Sequence, residues 1–137
     1  MTVIDSSAYI AYLIGEEGGE AVRPWLDPER APRSVSLLLT ESGNVLWKYY
    51  RAGAIPKQRA IELFTMTLNI CREGVIRVEP DERYGDLALR LAIQHSHPFY
   101  AMLFVALAME THEGLVTGDA LQAQVAKQCG IEVSVIC

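Results

Sequence analysis

The chain has 137 residues, half of them hydrophobic and 21% charged, which suits one soluble globular domain with enough length for a real core. A net charge of -5 argues against binding nucleic acid through bulk positive charge, but it does not exclude an enzyme that recruits a cation locally. No basic leader precedes an apolar run, no uncharged run reaches membrane-spanning length, and the three cysteines, Cys71, Cys129 and Cys137, lack metal-ligand spacing; a cytoplasmic protein with buried or idle thiols is expected.

In chain order, "TVI" reads as a strand ending at Asp5, and "SSAYIAYLIG" as a helix capped by Ser6 or Ser7 and stopped by Gly15. "EEGGEAVRPWLDPERAPRS" is punctuated by Gly and Pro and predicts a short helix between loops. "SVSLLLTESGNVLWKYYRAG" predicts a strand end running into a helix closed by Gly53. Pro56 suits the first turn of the next helix, where Ile61, Phe64, Leu68 and Cys71 keep the three-to-four spacing of a buried stripe. "VIRVE" is a strand, "PDERYGDLALRLAIQHS" a helix, residues 98–112 a helix leading into strand "GLVTG", and residues 120–129 a helix leading into "IEVSVI". Strands alternating with helices predict an α/β sandwich, an α/β/α arrangement with a mainly parallel sheet of about five strands, forming one domain over residues 1–137.

Such a sheet places its chemistry beyond the carboxyl ends of its strands. Asp5 and Asp119 both end strands, so they reach one edge if those strands are near neighbours; each is equally suited to capping the following helix. Glu41 is the third acid. On a helix it shares a face with Leu37, Leu38 and Val45, which puts a carboxylate on the expected core stripe, where an unpaired charge is costly. A local pair or a snorkelling side chain would relieve that cost, as would a metal at the sheet edge.

"WKYYRAGAIPKQR" gathers Lys48, Arg51, Lys57 and Arg59 with Tyr49 and Tyr50, a mixture suited to phosphates and unstacked bases and equally to the solvated ends of two helices. His95, His97 and His112 lack a shared helix face and read as surface or loop residues.

Asp5 with Ser7 in "DSS", Glu41 with Asn44 in "LLLTESGNVLWKYYRAG", and Thr117 with Asp119 in "LVTGD" resemble, in order and spacing, the motifs of PIN-domain ribonucleases, in particular VapC-type toxins of bacterial toxin–antitoxin pairs. The resemblance spans nearly the whole chain. It implies a Mg²⁺- or Mn²⁺-dependent endoribonuclease, usually a homodimer, held in check by a small antitoxin protein. It assigns Asp5, Glu41 and Asp119 to catalysis, with Asp5 and Asp119 on the metal and Glu41 orienting or deprotonating a water. Ser7 and Thr117 would then hold the carboxylates in place, and Lys48 and Arg51 are candidate RNA contacts.

The family's helix before "LVT" begins with Tyr followed by Asp; here Tyr100 is followed by Ala101. Residue 101 lies in the first turn after Pro98, where a carboxylate would gain from the helix dipole. Its absence implies a chain that folds but binds its cation weakly and cleaves RNA poorly. The uncharged run Pro98–Met109 is equally the pattern of a buried helix. An introduced substitution and natural degeneration both fit Ala101, and the retained Asp5, Glu41, Asp119, Ser7 and Thr117 favour the first. Two other functions stay open: a non-catalytic PIN-like protein that only binds an antitoxin, and a phosphoacceptor signalling domain. The second expects paired acids at the first strand end, where this chain has Ser6 and Ser7 after Asp5.

Overall fold

The structure, a computed structural model, describes residues 1–136; Cys137, expected to be an idle thiol, lies outside the described residues. Five strands, β1 (Thr2–Ile4), β2 (Pro32–Val35), β3 (Arg77–Glu79), β4 (Gly114–Thr117) and β5 (Val133–Val135), form one sheet in the order β3-β2-β1-β4-β5. Every pairing is parallel, with Val3 opposite Arg33 and Leu115, and Ile4 opposite Val116. The α-helices are α1 (Ser6–Ile14), α2 (Leu37–Arg51), α3 (Lys57–Arg72), α4 (Gly85–His95), α5 (Phe99–Thr111) and α6 (Ala120–Gln128). None is long and apolar enough to cross a membrane, among the described residues.

Side chains alternate across each strand, so the sheet feeds two cores. Val3, Val35 and Leu115 face α4, α5 and α6, whereas Ile4, Val116 and Ile136 face α1, α2 and α3. The expected α/β/α sandwich is therefore present. The uncharged run in α5 is explained by burial: every residue from Ala101 to Ala108 is buried, the helix being packed against α4 and the central strands.

Three local expectations change. Asp5, not Ser6 or Ser7, caps α1, its carboxylate accepting from the Ala8 backbone N–H at 2.9 Å. The region expected to hold a short helix folds as two 3-10 segments, Gly19–Leu26 and Pro28–Arg30, because Pro24 and Pro28 lack the amide hydrogens a continued α-helix needs. On α3 the buried face is carried by Leu63 and Thr67, while Ile61 is half exposed. Phe64 and Cys71 of the expected stripe pack beside that face, Phe64 lying against Gly43 of α2, where a Cβ would sit 3.2 Å from the ring, while Thr67 meets the Tyr9 hydroxyl at 2.7 Å.

Similarly, the core stripe of α2 runs through Leu38, Ser42 and Leu46, with the Ser42 hydroxyl donating to the Leu38 carbonyl. Glu41 sits beside that stripe, half buried, rather than on it. The start of α2 is locked from a distance: Asp81 accepts from the Leu37 N–H at 2.8 Å, and its own N–H donates to the Ser36 hydroxyl at 3.1 Å. This lock holds the first turns of α2, and Glu41 with them, at the carboxyl edge of the sheet.

Candidate active site

The chain leaves β1 toward β2 on one side and later returns past it to β4 on the other, so the carboxyl ends of β1 and β4 form the point where the sheet's winding reverses. A cleft of about 360 Å³ opens there. Asp5, Ser6, Ser7, Glu41, Ala101 and Asp119 all line it, so three acids distant in sequence share one cavity with the residue at the expected fourth position.

Asp5 is the most enclosed of them, at 1% exposure. Its backbone N–H extends the sheet by donating to the Val116 carbonyl at 3.1 Å, which sets it beside the end of β4. Its carboxylate then accepts from the Ser7 hydroxyl at 2.7 Å, the Ala8 N–H at 2.9 Å and the Thr117 hydroxyl at 2.5 Å. Ser7 also accepts from the Gly118 N–H and meets Thr117 Oγ1 at 3.3 Å, so Asp5, Ser7 and Thr117 form one hydrogen-bonded unit tying β1 to β4. Burial nevertheless pushes the Asp5 carboxyl up from 3.8 to about 6; the Thr117, Ala8 and Ser7 bonds pull it down only in part, and the nearby Asp119 charge pushes it up further.

Asp119 is held at the start of α6, Oδ1 accepting from the N–H groups of Leu121 (2.9 Å) and Gln122 (3.2 Å). Capping and cleft-lining, weighed as rivals for Asp5 and Asp119, are thus combined in both residues. Burial also holds the Glu41 carboxyl above its usual range, with the Ser6 hydroxyl nearby lowering it and Asp81 raising it. The Ser6 Oγ is buried and makes no hydrogen bond.

Among the described residues, no three His, Cys, Asp or Glu side chains cluster tightly enough to enclose a metal by themselves. The donors are nonetheless those a hard cation takes. Mg²⁺ uses one or two carboxylates and keeps several waters, and Asp5, Glu41 and Asp119 offer oxygen ligands in an open cleft without a lysine or arginine among its lining residues. Ala101, 6% exposed in the first turn of α5, presents a methyl group to the same cleft.

Lys48 and Arg51 are not among the lining residues. They lie on the same helix as Glu41, roughly 10 and 15 Å farther along its axis at about 1.5 Å per residue. Both are exposed, and the Arg51 guanidinium stacks on the Trp47 ring at 5.2 Å. Of the histidines, His97 lies in the loop between α4 and α5, as its reading as a surface or loop residue expects, and also lines the cleft, because Pro98 turns the chain into α5 immediately after it. His95 Nε2 instead contacts Cys129 Sγ at 3.6 Å, and His112 ends α5 with a positive φ. Tyr100, the tyrosine that opens the helix bearing Ala101, also lines the cleft, as does Gln122, which was not singled out, since a glutamine in a first helical turn carries no sequence signal of its own.

No curated protein matches the sequence. Among solved structures the fold is similar to the crystal structure of PAE2754 from Pyrobaculum aerophilum, with a TM-score of 0.74 and 23% identity over 96% of this chain and 82% of that one. The sequence profile of the PIN domain matches residues 2–128, across all of β1 to β4 and through the acid-lined cleft, and the chain belongs to the PIN-domain family.

Proposed function

We propose that the chain is a metal-dependent endoribonuclease toxin of the VapC type, a single PIN-like domain acting in the cytoplasm as a homodimer and restrained by a small antitoxin protein, with activity impaired by Ala101. PIN domains are generally nucleases, which supports the reaction class. The observation that carries the reading is the convergence of Asp5, Glu41 and Asp119 with Ala101 on one cleft at the sheet's winding reversal.

Asp5 and Asp119 are the residues that would hold Mg²⁺ or Mn²⁺. When bound, such a cation supplies the positive charge that lets a phosphodiester approach three carboxylates, and it acidifies water. Asp5 contributes an oriented carboxylate, since Ser7, Ala8 and Thr117 leave it little freedom to rotate. Asp119 is fixed by its bonds to the start of α6, with one oxygen outside that pair of bonds. Glu41, half buried and with a raised carboxyl pKa, is the group suited to accept a proton from the attacking water. Ala101 adds neither charge nor ligand. Its methyl group relieves repulsion among crowded carboxylates, worth roughly 3 kcal/mol for each pair about 5 Å apart at an effective dielectric near 20.

The decisive experiment compares the chain as given with Ala101→Asp on a panel of single-stranded RNAs, with Mg²⁺ and with chelator. The restored protein is expected to cleave at least about a hundredfold faster, and only with metal, as befits a lost charge-stabilising group. A folded Ala101→Asp protein that leaves every RNA intact would overturn the nuclease reading and favour the non-catalytic antitoxin-binding protein.

A further inference from the structure

Gln122 is 4% exposed, lines the acid cleft, and its side-chain Nε2 is buried without a hydrogen-bond partner. An amide hidden this way is a standing cost to the fold, and packing alone would be served better by an apolar side chain. The position is not loose: the Gln122 backbone N–H donates to Asp119 Oδ1 in the first turn of α6, between the exposed Leu121 and the buried Ala123.

None of the cleft's acceptors holds the Gln122 Nε2, neither the Glu41 carboxylate nor the Asp119 oxygen left outside its capping bonds. The Asp5 carboxylate is taken up by Ser7, Ala8 and Thr117, and Asp119 Oδ1 by two backbone N–H groups. A phosphodiester entering here also meets no lysine or arginine among the described lining residues. Apart from His97, the side-chain donors open to its oxygens are neutral, and a primary amide is a donor that adds no charge to compete with a cation for the carboxylates.

We propose that Gln122 is a substrate-binding residue, its side-chain amide turning into the cleft to donate to a non-bridging phosphate oxygen of the RNA. This rests on the nuclease reading above and extends it to a residue outside the acidic set.

The test uses the full chain with Ala101, which is expected to hold RNA without rapidly cutting it, and a fluorescently labelled single-stranded oligoribonucleotide in Mg²⁺. Gln122→Met keeps the length of the side chain and removes the donor. It should weaken RNA binding about tenfold or more, as loss of a hydrogen bond to a charged group does, while the thermal midpoint stays equal or rises. In the unsubstituted chain, the Gln122 side-chain NH₂ resonances should shift on saturation with RNA, a readout independent of how the variant folds. Equal affinities for the two proteins, unshifted amide resonances at saturation, or no RNA binding by the parent chain would each overturn the proposal. Cleavage by Ala101→Asp is read separately: cleavage with Gln122 silent sinks this inference alone, whereas a folded protein that neither binds nor cleaves sinks the nuclease reading as well.

Discussion

Two buried acids in this protein are treated in opposite ways. Glu79, at the end of β3, is 7% exposed and surrounded by cations: Arg33 at 3.2 Å, Arg77 at 3.2 Å and Arg83 at 2.9 Å. Arg33 also reaches the buried Glu113 at 3.3 Å, so one guanidinium joins the loop before β4 to the outer edge of the sheet. Asp5, on the central strand and more deeply buried, has hydroxyl and backbone donors but no arginine or lysine. The first arrangement neutralises its charge within the fold. The second orients a charge and leaves it to be neutralised by something that binds, a common signature of a site rather than a structural pair.

Breaking the paired region should have the largest effect on stability. Arg33→Met strands Glu113 without its cation and takes one of three from Glu79, so it should destabilise the fold by about 3 kcal/mol, as removal of one partner from a buried ion pair does. Urea denaturation at neutral pH measures it, and a loss within error of zero would show that the two acids are satisfied in other ways.

The same measurement on Asp5→Asn should have the opposite sign. Because the folded carboxyl titrates near 6 instead of 3.8, the native protein binds the extra proton between those values, and the stability of the parent chain falls as pH rises through that window. The Asn variant should match the parent near pH 4 and gain with rising pH, reaching about 1–3 kcal/mol of advantage above pH 6. An advantage that does not change with pH would mean that Asp5 is not held against burial.

Metal addition sharpens the contrast further. Mg²⁺ should raise the thermal midpoint of the parent chain more at pH 7.5 than at pH 5.5, since binding competes with the proton on Asp5, and should barely move that of Asp5→Asn. Ala101→Asp should lower stability by about 1–3 kcal/mol in chelator through added repulsion and recover it in Mg²⁺. Thr117→Val should give the smallest change, about 1 kcal/mol, by deleting one bond to Asp5, with the carboxyl pKa moving further upward by NMR titration.

Much of this was legible in the residues. Short β-branched runs separated by helical ones are local patterns, and they identified five strands, their parallel arrangement and the strand ends that carry Asp5 and Asp119. Side chains whose role depends on a neighbouring element were not legible. The burial face of α3 was decided by Tyr9 and Gly43, from two other helices, and the register of Glu41 by the Asp81 lock on α2. That Lys48 and Arg51, the candidate RNA contacts, lie outside the cleft lining was not legible either, because helix periodicity says nothing about how far along an axis the cleft extends.

By itself, the amino-acid order determined the alternation of elements and put forward three candidate acids, since these follow from hydrophobic pattern and residue type, while leaving the uncharged run of α5 open between burial and a lost carboxylate. Only the tertiary structure decided that those acids share one cavity, that Ala101 faces it, and that Asp5 lacks a cationic partner where Glu79 has three. The reason is physical: the energy of a buried charge or amide depends on which groups the fold brings within a few ångströms, and those groups come from strands and helices up to 112 residues away in the chain.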